Sequence, residues 1–354
     1  MKITVLYFPG DICTMYTMYP LLRSKYTSMF DFTSDLDEAL KFKKNKILFV
    51  FRFFRRELSD EITQTYFKKL RDRYEKIVYF EDTPDPRKIM TNTIDYVDLY
   101  YKKSMLKNLS LYKQEYYSET VYGDFYHRKF GVRDAFETMS KPLRDDQIAK
   151  LHLAWNIGIG QYPKERIRRA ICTRIGDAGY LRLMSVFLGH PKNYRAATKR
   201  TNLVCPMRFR AEDEPKTLNY QRMLFSEIAM TRPDLFALGK LSLTDYNREL
   251  RNSKITFGSY GLGEICFRDF EAIINYSLLI KPDMDHLTTW PDVYQKNVTY
   301  VPLQWDGSDF IETIEYWQKA DASLITQNAY DCYMSSFNQY IPRLEMVLNQ
   351  VYAL

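Results

Sequence analysis

Cysteine is scarce in this chain, and its placement excludes two classes of site. The 354 residues include five cysteines, at positions 13, 172, 205, 266 and 332, and no two of them are close in sequence. Zinc sites and thioredoxin-like redox centres need cysteines at short, paired spacings, so the sequence has the motif of neither. Isolated thiols are typical of a reducing compartment, which is the location that we expect for this protein.

Long apolar runs are also missing. No stretch approaches the roughly 18 apolar residues of a membrane-spanning helix, and no charged segment followed by an apolar one precedes the first predicted strand. The most apolar piece, residues 47–54, is short and contains Arg52, so its length favours a central strand over an interfacial anchor. We therefore expect a soluble, cytoplasmic protein, and peripheral contact with the inner face of the membrane stays open. Low-complexity stretches and solenoid repeats are absent too.

The charge and the aromatic residues narrow the range of ligands without choosing among them. The net charge is +7, and basic residues are densest between Lys164 and Arg200. This modest excess fits an anionic donor molecule, an anionic lipid surface or nucleic acid. Aromatic residues make up 16% of the chain, with 29 tyrosines. Such rings stack on sugars or bases at a surface and fill cores equally well, and core packing is the more common use.

The N-terminal half alternates between strand and helix patterns. β-branched and aromatic residues predict strands at residues 3–8, 47–51, 77–80, 97–101 and 118–121, with helices in the gaps. Such alternation favours a parallel, doubly wound sheet with right-handed crossovers. Between about residues 135 and 199 the pattern becomes helical and basic, with a turn-rich interruption at 155–160.

The C-terminal half repeats the alternation. Strands are predicted at residues 203–205, 235–238, 255–257, 278–281 and 300–303, and helices at 217–230, 244–252 and 310–319. Residues 322–354 are helical in pattern throughout. A chain of this length usually forms two domains, and we place their junction near residue 195.

The most informative stretch is residues 254–283, which reads as strand, glycine-bearing turn, helix and strand. Gly261 and Gly263 mark the turn, and apolar residues recur at helical spacing from Phe267 to Ile274. The N–H groups and the positive dipole end of such a helix bind a diphosphate, which glycine allows to approach closely. Farther along the same helix, Glu271 can accept hydrogen bonds from sugar hydroxyls, and Arg268 can balance phosphate charge.

The run Ser259-Tyr-Gly-Leu-Gly-Glu-Ile-Cys-Phe-Arg-Asp-Phe-Glu-Ala272, followed by Leu278-Leu-Ile-Lys-Pro-Asp-Met-Asp-His-Leu-Thr-Thr-Trp-Pro-Asp292, resembles the donor-binding half of GT-B glycosyltransferases. More narrowly, it resembles an exostosin-like and family-1-like group of polysaccharide biosynthesis enzymes. The specific signal covers roughly forty residues, and weaker similarity extends over the N-terminal half. One departure concerns Glu264 and Glu271, since the two-glutamate signature of many retaining GT-B enzymes has one residue more between them. A retaining mechanism is therefore not implied.

The resemblance implies an α/β fold of the GT-B type, in which two doubly wound, Rossmann-like domains face each other across a cleft. It implies an N-terminal acceptor-binding domain at residues 1–195 with a helical basic insertion, and a nucleotide-sugar donor domain at 196–335. A C-terminal helix at residues 336–354 is expected to cross back onto the N-terminal domain.

The resemblance also implies roles for particular residues. The glutamate that corresponds to Glu271 holds the nucleotide ribose in such enzymes. Ligands of α/β sheets bind outside the carboxyl ends of strands, so Arg208, Arg210 and Lys281 are further candidates. For these three, contact with the donor and a plain solvated strand end fit the sequence equally well. The predicted donor-binding set is Arg208, Arg210, Ser259, Tyr260, Gly261, Gly263, Glu264, Arg268, Glu271 and Lys281.

A second pair of acidic residues, Asp283 and Asp285, has the spacing of a metal-binding Asp-x-Asp motif. Its context is wrong for that role, because it follows a proline at a strand end late in the chain. We expect no metal and no cofactor, with a nucleotide-diphosphate sugar as co-substrate. The helix dipole and arginine then neutralise the diphosphate.

Glycosyl transfer needs stabilisation of the leaving group and, where configuration inverts, a base for the acceptor hydroxyl. The candidate bases are Asp82, which follows the strand at residues 77–80, and Asp124 and His127, which follow the predicted strand at 118–121. Asp82 before Thr-Pro also fits a turn or helix cap, and His127 among aromatic residues also fits a structural histidine.

Together these features predict a hexosyl- or pentosyltransferase that is metal-independent. It would move a sugar from a nucleotide-diphosphate donor, with UDP-sugars favoured, to a hydroxyl of a glycan or lipid-linked glycan. One alternative is a phage-type DNA glycosyltransferase, which would use the basic zone to bind duplex DNA and flip out a hydroxylated base. A non-catalytic module that binds glycans or nucleotides is the other alternative.

Overall fold

The computed structural model of the protein describes residues 2–9, 17–52, 59–160, 170–171, 174–175, 180–184, 205–207, 216–239 and 241–354. The chain forms two compact units, each made from separate segments. The first comprises Met1–Met105, Leu143–His190 and Phe337–Leu354, and the second comprises Leu106–Pro142 and Pro191–Ser336.

A six-stranded sheet organises the first unit, and all its strand pairs are parallel. The strand order is β2-β1-β3-β4-β5-β7. The strands are β1 (Ile3–Tyr7), β2 (Phe30–Thr33), β3 (Ile47–Phe51), β4 (Lys76–Glu81), β5 (Leu99–Lys102) and β7 (Leu151–Leu153), while β6 (Ser104–Leu106) lies where the chain leaves the first unit. The helices of this unit are α1 (Tyr19–Arg23), α2 (Leu36–Lys41), α3 (Asp60–Arg73), α4 (Thr91–Ile94), α6 (Asp145–Ile148), α7 (Leu181–Met184) and α13 (Tyr340–Ala353).

The composition of the central strands explains this layered arrangement. Strands β1 and β3 are buried along their whole length. Strands with apolar residues on both faces need a cover on each side, which helices supply in doubly wound folds. Helix α3 begins where the Ser59 side chain accepts a hydrogen bond from the Ile62 N–H at 3.2 Å, and it buries Phe67 and Leu70.

The C-terminal helix α13 belongs to the first unit, which confirms the predicted return of the chain end. Arg343 donates from Nη2 to the Leu153 carbonyl at 2.6 Å and from Nε to the Ala154 carbonyl at 3.0 Å. The apolar face of α13 buries Leu344, Val347, Leu348 and Val351. The Arg343 hydrogen bonds therefore hold this helix at the end of strand β7.

The second unit contains two parallel arrangements of strands. Strands β10 (Ile255–Phe257), β11 (Leu278–Pro282) and β13 (Val301–Leu303) form one sheet in the order β10-β11-β13, and β8 (Cys205–Met207) pairs with β9 (Phe236–Leu238). A short strand β12 (Leu287–Thr289) follows β11. The helices are α5 (Val121–Phe130), α8 (Lys216–Met230), α9 (Leu243–Asn252), α10 (Phe267–Ile274), α11 (Phe310–Lys319) and α12 (Ser323–Asn338).

Three phenylalanines form the centre of this second core. Phe225, Phe257 and Phe310 are fully buried, and their ring centroids lie 4.8–4.9 Å from one another. One comes from α8, one from β10 and one from α11, so the triad joins both helices to the sheet. Pairs of rings at such distances add to the free energy of burial.

The elements agree with the sequence in most places and differ in a few. The N-terminal strands at residues 3–8, 47–51, 77–80 and 97–101 are confirmed as β1, β3, β4 and β5 to within two residues at each end, and helix 310–319 is confirmed as α11. The predicted strand at 118–121 is wrong. Ser118 and Glu119 have φ values of 54° and 58°, and Thr120 Oγ1 accepts a hydrogen bond from the Gly123 N–H at 3.0 Å. These residues form the turn and cap that begin α5.

The helical zone predicted from residue 135 onward is also corrected. Residues 135–160 contain only the one-turn helix α6, the short strand β7 and loops. Strands β2 and β7 were not predicted, since both are short and carry polar residues. Most of the basic zone between Lys164 and Arg200 lies outside the described residues.

The compact units differ from the predicted domain ranges by a few residues at the boundaries and by one longer segment. Leu106–Pro142 belongs to the second unit, although the sequence prediction assigned it to the N-terminal domain. The reason lies in contacts with α8. The Asp134 carboxylate accepts hydrogen bonds from the Thr217 N–H at 2.8 Å and the Thr217 hydroxyl at 2.6 Å, and Gln221 Nε2 donates to the Tyr126 hydroxyl at 3.0 Å.

Among the described residues, no helix is long and apolar enough to cross a membrane.

Candidate functional site

The loop between β10 and α10, residues 258–266, lies at the carboxyl end of its strand, as the sequence predicts. The Gly258 N–H continues the sheet by donating to the Ile280 carbonyl at 2.9 Å. A Cβ on Gly258 would lie 2.7 Å from Asp269 Oδ1 and 2.9 Å from Leu279 Cδ1, so a larger residue there would displace buried side chains. The Gly261 N–H donates to the Gly263 carbonyl at 2.8 Å, which closes a tight turn in the loop.

Residues of helix α8 hold this loop from one side. Gln221 Oε1 accepts a hydrogen bond from the Tyr260 N–H at 2.8 Å, and Arg222 Nε donates to the Tyr260 carbonyl at 2.8 Å. A Cβ on Gly261 would lie 3.1 Å from Arg222 Nη2. Glycine at position 261 therefore leaves room for the Arg222 guanidinium beside the turn.

Tyr260 holds the loop from the other side. Its ring is fully buried, and its hydroxyl donates to the Asp283 carbonyl at 2.7 Å. Burial, with the negative charge of Glu264 nearby, raises the pKa of Tyr260 well above its usual range. The residue therefore acts as a neutral hydrogen-bond donor.

A buried ion pair supports the first turn of α10. Lys281 and Asp269 side chains have no exposed surface, and Lys281 Nζ lies 3.1 Å from Asp269 Oδ2. Lys281 also donates to the Gly258 carbonyl at 3.1 Å, and the Tyr294 hydroxyl donates to Asp269 Oδ2 at 2.8 Å. The sequence left donor contact and an exposed strand end open for Lys281. The structure places this side chain in the core beneath the loop instead.

Arg268 and Glu271 lie one helical turn apart on α10, and both are partly exposed. The Tyr246 hydroxyl on α9 donates to Glu271 Oε2 at 2.9 Å, and Arg268 Nη1 donates to Ser259 Oγ at 3.5 Å. Burial opposes the charge on Arg268, but Tyr246, Cys266 and Glu271 outweigh burial and raise the pKa of Arg268. The guanidinium therefore stays charged at the mouth of the loop.

Glu264, another member of the predicted donor set, is fully buried. His286 Nε2 lies 3.3 Å from Glu264 Oε1, and the His286 ring meets the edge of Trp305 at 5.1 Å between centroids. The structure thus places Glu264 under the loop in contact with an imidazole.

Asp283 and Asp285 are both held by lysine. Lys296 Nζ lies 2.7 Å from Asp283 Oδ2 and 3.3 Å from Asp285 Oδ2, and Lys107 Nζ lies 2.7 Å from Asp285 Oδ1. Hydrogen bonds from Lys107 and Lys296 lower the pKa of Asp285. No cluster of three or more histidine, cysteine or acidic side chains suited to a metal occurs within the described ranges.

Asp82, the first candidate base, lies at the carboxyl edge of the sheet in the first unit. The side chain is almost fully buried, forms an ion pair with Lys103 and accepts a hydrogen bond from Thr17 Oγ1 at 3.0 Å. It borders a small pocket of about 220 Å³, which includes the part open to solvent. The pocket is lined by aromatic rings and charged side chains, among them Phe80, Glu81, Tyr101, Lys102 and Trp155.

Asp124 and His127 lie on α5, which belongs to the second unit. Asp124 forms an ion pair with Arg128 at 2.7 Å and accepts a hydrogen bond from the Tyr117 N–H at 3.0 Å. His127 contacts the Val132 carbonyl through Nδ1 at 2.8 Å and stacks on Tyr117 at 3.8 Å between centroids. These contacts fix the two ends of α5. Asp124 and His127 therefore lie in the second unit, whereas the sequence predicts them in an N-terminal acceptor domain.

The remaining predicted residues are buried in the loop or lie outside the described part of the chain. Ser259 is buried at the start of the loop, and Gly263 is buried at its centre. Arg208 and Arg210 lie outside the described residues. Five residues at the two sites were not predicted, namely Thr17, Lys103, Tyr246, Gln221 and His286. Arg222 lies within the predicted helix at residues 217–230, and its contact with Tyr260 has no local signal in the sequence, because 38 positions separate the two.

Comparison with known proteins identifies the fold. No protein-family model matches the chain, and no curated protein matches it. The crystal structure of Anabaena Alr3699/HepE in complex with UDP is similar over 100% of both chains, with a TM-score of 0.50 and 8% sequence identity. A glycosyltransferase from Rickettsia africae matches over 99% of this chain and 98% of its own, with a TM-score of 0.48 and 9% identity. Taken with the two α/β units, the HepE likeness shows that this chain has the GT-B fold.

Proposed function

We propose that this protein is a glycosyltransferase that takes a sugar from a nucleotide-diphosphate donor. One observation carries the proposal: the charged Arg268 guanidinium and the Glu271 carboxylate meet at Tyr246, beside a glycine-bearing loop at the carboxyl edge of the sheet. A cation and backbone N–H groups suit a diphosphate, and a carboxylate suits ribose hydroxyls. The GT-B fold supports this assignment, although a fold by itself does not fix an activity.

We favour a UDP-sugar as the donor. The Anabaena HepE structure, which has the same fold, holds UDP. In the proposed complex, Arg268 and the loop N–H groups bind the diphosphate, and Glu271 accepts hydrogen bonds from the ribose. The protein itself neutralises the diphosphate, so the reaction proceeds without a metal ion or an added cofactor.

The acceptor is proposed to be a hydroxyl group of a glycan or a lipid-linked glycan, as in polysaccharide biosynthesis. The acceptor oxygen bonds to the anomeric carbon, the bond from that carbon to the diphosphate oxygen breaks, and UDP leaves. Asp82 is the proposed group that takes the acceptor proton, because it is a buried carboxylate at the edge of a pocket. Asp124 and His127 are engaged within α5, which makes them weaker candidates for this role.

The donor assignment is tested by thermal-shift measurements with UDP-, GDP-, CMP- and dTDP-sugars, with and without EDTA. At a ligand concentration about a hundred times Kd, binding stabilises the folded protein by about 2.7 kcal/mol. We expect a UDP-sugar to raise Tm in the wild type, with or without EDTA, and to have no effect on Glu271→Ala. Glu312→Ala is the matched control, since Glu312 is an exposed glutamate on α11.

Two outcomes would contradict the proposal. Loss of the Tm shift with EDTA overturns metal independence. Absence of any nucleotide effect, together with stabilisation by duplex DNA or a polysaccharide, favours the binding-module alternative. Transfer is then measured as UDP release in the presence of candidate glycans, with Asp82→Asn as the variant that should bind donor but lose turnover.

A further inference from the structure

A buried tyrosine of helix α5, Tyr122, contacts the candidate donor loop. Tyr122 has no exposed surface, and its hydroxyl donates to the Gly261 carbonyl at 3.0 Å. Its ring also meets the Tyr260 ring edge-on, with 5.2 Å between centroids. The contact joins residues 139 positions apart in the chain.

The geometry of the peptide bond turns this contact into a constraint on the loop. In a trans peptide the carbonyl and the next N–H lie in one plane and point in opposite directions. A Gly261 carbonyl held by Tyr122 therefore directs the Leu262 N–H away from Tyr122. Within the described part of the chain that N–H makes no hydrogen bond, and Leu262 is 55% exposed.

The start of α5 is itself tightly fixed, as a rigid support requires. Two successive non-glycine residues, Ser118 and Glu119, adopt left-handed backbone conformations just before the helix. Such conformations cost energy and persist where the surrounding structure enforces them. Thr120 then caps the helix, and a Cβ on Gly123 would lie 2.4 Å from Thr120 Oγ1, so the first turn has little freedom.

From these contacts we propose that Tyr122 is a positioning residue, which orients the Gly261–Leu262 peptide so that the Leu262 N–H donates to the diphosphate of the donor. Tyr122 does not touch the ligand in this assignment. It acts through the carbonyl on the opposite side of the peptide. This inference rests on the proposed donor site, and it gives the segment Leu106–Pro142 a part in donor binding.

The experiment compares Tyr122→Phe with Tyr112→Phe by calorimetric titration with UDP and ligand-observed NMR titration with uridine. Tyr112 is the matched control because it is a fully buried tyrosine of the same segment, and its hydroxyl accepts a hydrogen bond from the Leu106 N–H instead. Loss of one hydrogen bond that aligns a charge-binding donor should weaken UDP binding by about tenfold in Tyr122→Phe. Uridine has no phosphate, so its affinity should be the same in all three proteins.

The outcomes separate this inference from the proposed function. If the wild type binds UDP and Tyr122→Phe binds it equally well, the role of Tyr122 is overturned and the donor site stands. Equal weakening of UDP and uridine binding also overturns it, since that pattern indicates general disturbance. If the wild type binds no nucleotide, both proposals fall. Should Tyr122→Phe fold poorly, the Leu262 amide signal of ¹⁵N-leucine-labelled wild type must move with UDP and not with uridine.

Discussion

At the scale of single residues, the candidate site is built from charges that the fold has removed from water. Lys281 and Asp269 lie beneath the loop, and Asp82 and Lys103 lie at the edge of the other sheet. Isolated buried charges are costly, so each is held by a partner of opposite sign. Partly exposed Arg268 and Glu271, by contrast, are placed where a ligand can reach them.

Replacement of Lys281 by methionine should destabilise the second unit strongly. Removal of one partner from a buried ion pair costs about 3–5 kcal/mol, because the Asp269 charge is left buried without its lysine. The free energy of unfolding from urea titration measures the effect. Arg248→Met is the control, since the Arg248–Asp245 pair is exposed and should change stability by less than about 1 kcal/mol. Equal losses of unfolding free energy in the two variants would show that the buried pair contributes no more to stability than the exposed pair.

Asp306 should contribute a pH-dependent part of the stability. Hydrogen bonds from Lys129 and then Ser308 lower the pKa of Asp306 from 3.8 to about 2. A carboxyl with a lowered pKa stabilises the folded state above its unfolded pKa, and this contribution is lost as pH falls from about 4 towards 2. After allowance for solvent exposure, Asp306→Asn should cost about 1 kcal/mol at pH 6 and nothing near pH 2. Denaturation at both pH values tests this, with Asp331→Asn as the exposed control; a cost that is independent of pH contradicts it.

At the scale of elements, two helices pack in a unit that their position in the sequence does not predict. Helix α5 comes from the first half of the chain and supports the loop of the second unit. Helix α13 is the last element of the chain and completes the first unit. Short-range sequence patterns determine where each helix forms. The surface against which the helix packs depends on its apolar face and on the elements that cover it.

Truncation of the α13 core should therefore destabilise the first unit. Leu344 is fully buried, and replacement of a buried leucine by alanine costs about 2–5 kcal/mol. Asn349→Ala on the exposed side of the same helix is the control and should change stability by less than about 0.5 kcal/mol. Thermal unfolding followed by circular dichroism measures both. A similar Tm in Leu344→Ala and the wild type would mean that α13 contributes little to the first unit.

At the scale of the whole molecule, the chain has the GT-B fold, in two units that each carry a candidate site. The second unit offers the loop at residues 258–266, with Arg268 and Glu271 on the helix that follows it, and the first offers the pocket with Asp82. The positive net charge of the chain suits an anionic donor, although charge alone does not identify the ligand.

Hydrogen exchange should locate the donor in the second unit. A ligand that binds only the folded state suppresses local opening of the elements that it contacts. With saturating UDP-glucose we expect slower amide exchange in residues 258–274 and unchanged exchange in α13. Mass spectrometry of peptides from the free and bound protein measures this. Protection confined to residues 80–83 and 101–103 would place the nucleotide in the first unit instead.

Much of the fold could be predicted from the sequence because its signals are local. Strand β3 is a continuous apolar run, and such a run is buried on both faces of a parallel sheet wherever it occurs. The glycines at 261 and 263, with the helix that follows, indicate a turn at the end of a strand. Predictions from weak sequence patterns are wrong where tertiary contacts override local propensity. One example is the turn and helix cap at residues 118–120, which the sequence pattern predicts as a strand.

By itself the sequence determined the two sets of α/β elements, the glycine-bearing loop and the helix after it that carries Arg268 and Glu271, since propensity, periodicity and glycine act within a few residues. Only the tertiary structure decided what lies beneath that loop. It buried Lys281 against Asp269, put His286 next to Glu264 and brought Tyr122 to the Gly261 carbonyl. These contacts depend on which distant side chains share a desolvated space, and no pattern within a short window of sequence contains that information.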